Sequence, residues 1–372
     1  MSRLKLAVIG AGHLGRIHAR LLAGMEDVEL VAIVDPAEEQ RQEVAGKYSA
    51  LALADHRQLF GRVDGAILAA PTVWHQAVGN DCLAAGLHLL IEKPLAADAA
   101  AGDSLVRMAR QHGVVLQVGH VERFNPAFVA AQPYLYGAKF VQAARLGTFA
   151  GRSTDIGVVL DLMIHDIDLI LSFVRSRVVQ ADALGLSILG KREDVAHARL
   201  VFENGAVATL EASRVSPRAE RRMGVWSPSG FASLDFAART ASLIRPCDRV
   251  KSHQYDVDEL SAAERLCVKD RLFEELLPVE PLAIEPQDPL TAELTDFVSA
   301  IRRARAPRVT GEQGREALSV AELVLDSIER HAWEGHPAGL RGPQLTPGES
   351  VIPAPHFLSR PATVSTPWRE AG

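Results

Sequence analysis

The chain has 372 residues, 48% hydrophobic and 23% charged, with a net charge of −6; that length predicts about two domains, each able to bury a core. Charges of both signs are dispersed, which excludes the basic field of a nucleic-acid binder, and no apolar run reaches the roughly 18 residues of a membrane span. Three scattered cysteines, Cys82, Cys247 and Cys267, cannot frame a disulfide scaffold or a zinc site, so a reducing cytoplasm and no metal are expected.

Leu4 to Ile9 reads as a short strand that stops at Gly10-Ala11-Gly12-His13-Leu14-Gly15 and leads into a helix from Arg16 to Leu22. A strand, a glycine turn and a helix in that order is the setting in which GxGxxG binds a dinucleotide. Gly10 permits the tight turn, Gly12 lets backbone approach a pyrophosphate, and Gly15 lets helix and strand pack closely. The helix N-terminus then turns its free amides, from His13 and Leu14 onward, to the phosphates. A second strand, Val28 to Val34, ends in Asp35. A carboxylate there accepts from both ribose hydroxyls and repels a 2′-phosphate, which favours NAD over NADP.

The alternation continues through a helix from Ala37 to Lys47, a strand from Gly65 to Ala70, a helix from His75 to Ala85 and a strand from Leu87 to Ile91. Continuously apolar strands between amphipathic segments predict a parallel sheet covered on both faces. Ligands meet such sheets beyond the carboxyl ends of the strands. Three loops therefore line the expected site: Pro71-Thr72 with His75, Glu92-Lys93-Pro94, and Gly119-His120 leading to Glu122-Arg123-Phe124-Asn125-Pro126.

Val159 to Leu171 is apolar except for Asp166 and a stripe of Asp161, His165, Asp168 and, just beyond, Ser172, spaced by four, three and four. A helix greasy on nearly all sides is buried. Its carboxylate and imidazole then need partners or a task. The stripe alone fits a satisfied core pair as well as a site. Later, Ala183 to Leu189, Val195 to Glu203 and Ala206 to Ala212, with Asn204-Gly205 as a hairpin turn, predict antiparallel strands, and Gly224 to Trp226 and Ala232 to Phe236 extend them. The sheet is expected to be open, with the Asp161 helix on one face and a partly apolar face free for a second copy. Arg249 to Leu276 has no clear period and predicts a loop with short helix; Leu290 to Arg303 and Glu312 to Ala332 predict helices. From Gly335 onward 7 of the 20 prolines gather, which predicts an extended or disordered tail.

The glycine motif, the Glu92-Lys93-Pro94 triplet and the Asp161-x-x-x-His165 pair, with Asp288-Pro289-Leu290 and Val309-Thr310-Gly311-Glu312, resemble the Gfo/Idh/MocA family of nicotinamide-dependent sugar and polyol oxidoreductases over about residues 4 to 330. The resemblance implies an α/β fold: an N-terminal Rossmann domain at 1–121, a C-terminal α+β domain with an open, mainly antiparallel sheet at 122–334, and a tail at 335–372. It implies NAD as cofactor, contacted by Gly10, Gly12, His13, Leu14, Gly15, Asp35, Pro71, Thr72, His75, Glu92 and Lys93. It places Lys93, Asp161 and His165 at the nicotinamide end. There an imidazole near neutral pKa can accept the hydroxyl proton. A lysine can polarise the oxygen or itself act as base, and Asp161 would orient His165.

Within the family, Val118 to Pro126, Gly151-Arg152-Ser153-Thr154-Asp155 and Ala212-Ser213-Arg214-Val215-Ser216 look most like the UDP-N-acetylglucosamine 3-dehydrogenase branch, whose 3-keto product is aminated for lipid A. On that likeness Arg123, Arg152 and Arg214, with Asn125, would bind substrate, the arginines meeting a diphosphate. A dehydrogenase of an inositol or free hexose, a reductase of the biliverdin type, and a non-catalytic NAD sensor are the alternatives. A sensor would be favoured by loss of Lys93 or His165, and both are present. The expected partners are a nucleotide sugar or polyol and further copies of the chain, paired through the C-terminal sheet as a dimer or tetramer, with no nucleic acid and no membrane.

Overall fold

A computed structural model describes residues 2–149, 151, 156–333 and 341–343. The first part runs β1 (Leu4–Ile9), α1 (His13–Ala23), β2 (Val28–Val34), α2 (Glu38–Tyr48), β3 (Leu51–Leu53), β4 (Gly65–Leu68), α3 (His75–Ala84), β5 (His88–Glu92), α4 (Ala99–His112) and β6 (Leu116–Gly119). Its six strands are all parallel, in the order β3-β2-β1-β4-β5-β6. The order reverses between β1 and β4, and a crevice opens at that point beyond the carboxyl ends. Residues Leu6 to Val8 and Ala66 to Leu68 are wholly buried, because helices cover both faces of the sheet.

The second part holds α5 (Pro126–Ala131), β7 (Phe140–Leu146), a π-helical turn (Val159–Met163) running into α6 (Ile164–Val174), and then β8 (Val178–Leu186), β9 (Val195–Phe202), β10 (Val207–Ser213), β11 (Glu220–Ser227), β12 (Gly230–Asp235) and β13 (Thr240–Ile244). Two short helices, α7 (Asp248–Lys251) and α8 (Ala262–Arg271), occupy the stretch expected to be mostly loop, before β14 (Val279–Pro281). The eight strands order as β14-β13-β12-β11-β7-β10-β9-β8. Neighbours are antiparallel except β7 with β10. Period-two alternation sends Ala196, Ala198, Leu200 and Phe202 of β9 to the core and leaves His197 and Arg199 on the far face. The inner face receives α6, whose Ile167, Leu169 and Ile170 are fully buried.

The last two helices, α9 (Pro289–Arg303) and α10 (Gly311–Arg330), return to the first sheet. Leu294, Phe297 and Val298 of α9 join Leu6, Val8, Ile33, Ile67 and Leu90 in one apolar cluster, on the face that α1 also covers. Helix α10 lies against α4, α6 and β8, and approaches β6 so closely that a β-carbon at Gly314 would stand 2.4 Å from Val118 Cγ2. Beyond it, Pro343 O accepts from the Ser187 amide at 2.7 Å. Residues 334–340 and 344–372, most of the proline-rich tail, lie outside the described residues.

Candidate active site

A cleft of about 1730 Å³ runs from the glycine loop to the inner edge of the second sheet. At its nucleotide end Gly10 has φ +102°, and a β-carbon there would meet Ala69 O at 2.6 Å; one at Gly15 would meet Gly10 O at 1.8 Å. Only glycine fits either place. At Gly12 a β-carbon would find no atom within 4 Å, so the bare backbone faces open space. Gly12 caps α1 without a side-chain hydrogen bond, leaving the first amides of the helix for an anion. Asp35 accepts from Ala11 N at 2.7 Å and from Ala37 N at 2.8 Å. Each oxygen keeps a lone pair on the cleft wall, which suits a ribose diol. His13, Leu14, Pro71 and Thr72 also line the cleft. These groups fit a bound NAD.

Two residues expected at the cofactor are engaged elsewhere. His75 is 1% exposed, and its ring nitrogens lie 2.9 Å from Pro94 O and 2.8 Å from Ala70 O; it ties the loop after β4 to the turn after β5. Burial holds its pKa below the usual value. Glu92 reaches the cleft wall, but its Oε1 lies 2.6 Å from Nε2 of the fully buried His18 on α1. Burial opposes the carboxylate; the His18 contact and the nearby Lys93 charge outweigh it and hold Glu92 below the usual carboxylate range. The glycine-loop helix is thereby fastened to the end of β5, at the residue before Lys93.

At the far end Lys93, Asp161 and His165 do converge on the cleft. Lys93 Nζ donates to Asp161 Oδ1 and to Asp161 O, both at 2.7 Å. Asp161 therefore serves Lys93, and among the described residues no hydrogen bond joins it to His165. The reason lies in the backbone: Asp161 sits in the π turn, where the i, i+4 stacking of an α-helix does not hold. His165 is half-buried, and its Nδ1 is enclosed without a hydrogen-bond partner among the described residues. Burial first, and then Lys93, Arg145, His120 and Arg221, push its pKa well below the usual histidine value. The ring is neutral near pH 7 and able to accept a proton. Further along the stripe, Ser172 Oγ donates to Leu169 O at 2.6 Å and Asp168 stands 3.9 Å from Arg123 Nε, both structural contacts.

The expected arginines divide. Arg123 is 6% exposed and does not line the cleft; it donates to Arg308 O at 3.3 Å and turns toward Asp168, because the helical turn Val121–Phe124 faces it inward. Arg214 lines the cleft but donates to Asp194 Oδ1 at 2.6 Å and to Ile156 O at 2.9 Å. Arg152 lies outside the described residues. Asn125 lines the cleft and uses its amide on Glu122 Oε2 and Phe236 O, at 2.9 and 3.1 Å. Two arginines that sequence reasoning missed, Arg221 on β11 and Arg239 after β12, line the cleft with exposed side chains that have no hydrogen-bond or ion-pair partner among the described residues. No sequence motif marks them.

Also missed is the support beneath His165. Arg145 of β7, 3% exposed, binds Asp166 with Nε and Nη2 at 3.1 and 2.8 Å and Glu122 with Nη1 at 2.7 Å. Burial lifts the Asp166 carboxyl and Arg145 draws it back, while the two acids keep the guanidinium charged. The signal was present: Asp166 is the one polar residue off the stripe, and the alternation of β7 puts Arg145 in the inward column with Val141 and Ala143. Among the described residues no group of three or more His, Cys, Asp or Glu could hold a metal, and no helix is long and apolar enough to cross a membrane.

A family model described as an oxidoreductase family with an NAD-binding Rossmann fold, GFO/IDH/MocA, matches residues 4–120, and the GFO/IDH/MocA C-terminal domain matches residues 134–231. UDP-N-acetylglucosamine 3-dehydrogenase of Acidithiobacillus ferrooxidans is 34% identical over 330 residues, 88% of this chain and 98% of that protein. A solved structure of that enzyme superposes with a TM-score of 0.77 over 88% of this chain and 98% of its own. Myo-inositol 2-dehydrogenase of Thermotoga maritima is 25% identical over 345 residues, 88% of this chain and 96% of that protein.

Proposed function

The chain belongs to the Gfo/Idh/MocA family of NAD-binding oxidoreductases, and from that premise we propose that it oxidises the 3-hydroxyl of UDP-N-acetylglucosamine to a ketone. Bound NAD supplies the hydride acceptor. The protein must then take the hydroxyl proton and stabilise the oxygen as it becomes negative. His165, held neutral by burial and by surrounding cations, is the base. Lys93 presents positive charge to the oxygen, and its two contacts to Asp161 fix the ammonium at the cleft wall. The Asp35 carboxylate selects NAD by its place at the end of β2. The ketone has the chemistry that an aminotransferase consumes, as the lipid A resemblance implies.

The observation that carries the sugar nucleotide is the pair Arg221 and Arg239. The other cleft cations that reach toward the second sheet already hold carboxylates: Lys93 with Asp161, Arg145 with Asp166 and Glu122, Arg214 with Asp194. Arg221 and Arg239 are left for a diphosphate, which they would meet by charge-assisted hydrogen bonds. The cleft also exceeds the roughly 300–1,000 Å³ of a pocket for one drug-sized ligand, leaving room for a second large molecule beside NAD. The test is a panel of UDP-N-acetylglucosamine, other UDP-sugars, inositols and hexoses with NAD, followed by the absorbance of reduced cofactor. UDP-N-acetylglucosamine should give the highest kcat/KM, and Arg221→Ser should raise its KM about tenfold or more. Equal or better turnover of a free inositol, unaffected by Arg221→Ser, supports the second reading, which the inositol dehydrogenase relative favours.

The far face of the second sheet, where the Trp226 and Phe231 rings pack at a 37° tilt with centroids 4.7 Å apart beside polar residues, is proposed as the seat of a second copy. Light scattering of the purified protein, with Trp226→Glu as the disrupting variant, tests that. A reducing cytoplasm suits the thiol of Cys82, pushed up to about 12 by burial and so unreactive.

A further inference from the structure

Behind His165, away from the cleft, lies a second imidazole. His120 follows β6 with φ −85° and ψ 71°, and its amide donates to Val118 O at 2.8 Å. That hydrogen bond closes a γ-turn centred on Gly119, and the His120 side chain lies in the interior beside α6. His120 is 0% exposed. Neither ring nitrogen has a hydrogen-bond partner among the described residues. Its ring stands edge-on to that of His165 with centroids 6.1 Å apart. The enclosed Nδ1 of His165 lacks a hydrogen-bond partner too, as does Asp168 Oδ2, which stands 3.9 Å from Arg123 Nε.

Buried polar atoms in folded proteins are almost always hydrogen-bonded, to protein or to ordered water. Four such atoms on two imidazoles and a carboxylate are unlike a packing residue's position, which an apolar side chain would fill at less cost. Rings at that spacing are too far apart for a direct bond and suited to one bridging water with two or more polar partners.

We propose that His120 receives the substrate's hydroxyl proton from His165 through one water held between the two rings. The inference rests on the alcohol-oxidation reading above. As the carbon gives its hydride to the cofactor, the O–H bond breaks, the oxygen's electron pair closes the C=O bond, and the proton goes to His165 Nε2. The Nδ1 proton of the resulting imidazolium passes to the water, which releases one of its own to His120. His165 is again neutral, and the positive charge has moved one residue inward. Charge sets the direction. His165 is faced by Lys93 from the end of β5, Arg145 from β7, His120 from the turn after β6 and Arg221 from β11, all of which oppose its charged form, Lys93 and Arg145 being themselves paired with Asp161, Asp166 and Glu122. His120 is faced by Asp168 from α6 and Glu92 from β5, against Arg123 and Lys93. The groups that act most strongly on His165 all oppose its charge, whereas two carboxylates favour that of His120. His120 touches no reacting atom and acts through His165.

Crystals of the full chain with NAD, and steady-state kinetics with UDP-N-acetylglucosamine, test the relay on wild type, His120→Phe and His120→Asn. The expected structure holds an ordered water within hydrogen-bond distance of His165 Nδ1 and the His120 ring; it is lost in His120→Phe and kept in His120→Asn. The expected kinetics are a kcat about tenfold or more lower in both variants, with KM and the NAD dissociation constant unchanged. The dependence of rate on deuterium fraction should go from curved in wild type to linear. If His120→Asn, which can hold the water but cannot carry its proton, keeps wild-type kcat, His120 is a polar anchor and the relay is overturned. A dry contact between the rings overturns it as well. That arm needs no substrate, so failure of UDP-N-acetylglucosamine in the assay stays distinct from failure of the relay.

Discussion

Replacing Arg145 by methionine removes a buried cation while roughly keeping its volume. It strands Asp166, 2% exposed, and Glu122, 7% exposed, which receive three hydrogen bonds from it. Taking one partner from a buried ion pair costs about 3–5 kcal/mol, because the remaining charge is uncompensated. An unfolding entropy of about 2.1 cal/mol/K per residue over roughly 330 residues gives about 0.7 kcal/mol/K, so Tm should fall by about 4–7 °C. Differential scanning fluorimetry at neutral pH reads this. The triple variant Arg145→Met, Glu122→Gln, Asp166→Asn carries no stranded charge and should recover most of the loss. The same arginine is among the cations that depress the His165 pKa. Its removal should therefore move the acid limb of the kcat/KM profile to higher pH. A Tm change below about 1 °C, or a triple variant no better than the single one, would refute the idea that Arg145 neutralises this pair of acids.

Lys93→Met and His165→Asn should each lower kcat by about 10²-fold or more with the NAD dissociation constant nearly intact, measured by steady-state kinetics and calorimetry; near-normal turnover in both would remove the catalytic assignment. Asp35→Ala should weaken NAD binding and leave NADP binding comparatively unharmed, since the variant loses ribose contacts and a repulsive charge together; an unchanged preference would show that selection lies elsewhere. Burial depresses the pKa values of His75, His120 and His165 below 6.5. The unfolded chain therefore binds these protons first, and the stability they contribute is complete above 6.5 and lost as pH falls toward the lowered values. Tm should drop between about pH 7 and about pH 5, with a shallower slope in His120→Asn. Phe297→Ala empties a fully buried site between α9 and the first sheet and should cost about 3–5 kcal/mol, read as a shift in the denaturation midpoint.

The nucleotide end was legible because its signals are local: Gly10, Gly15 and Asp35 act within one strand-helix-strand unit, and each geometric demand falls on the residue that meets it. At the far end of the cleft the sequence showed which residues meet and not how they pair. Asp161 and His165 look like one stripe at α-helical period, and only the π turn shows that Asp161 belongs to Lys93, 68 residues away in sequence. Arg123 stands in the right loop, yet a single turn of helix at Val121–Phe124 points it into the core. Arg145 joins partners 21 and 23 residues distant through alternation in β7, a strand that no motif marks. Arg221 and Arg239 carry no pattern at all; strand order alone brings β11 and the turn after β12 to the cleft.

The return of α9 to the first sheet bears on how the chain is made. While residues 1 to about 120 leave the ribosome, every strand of the dinucleotide-binding sheet is available, but one wall of its core, the place of Leu294, Phe297 and Val298, is still unsynthesised. Leu6, Val8 and Leu90 then face water on the side that α1 only partly covers. Parallel strands form slowly because their contacts span long stretches of chain, and exposed apolar sheet invites association. Synthesis from the N-terminus thus leaves the nucleotide-binding sheet without one wall of its core until α9 has been made.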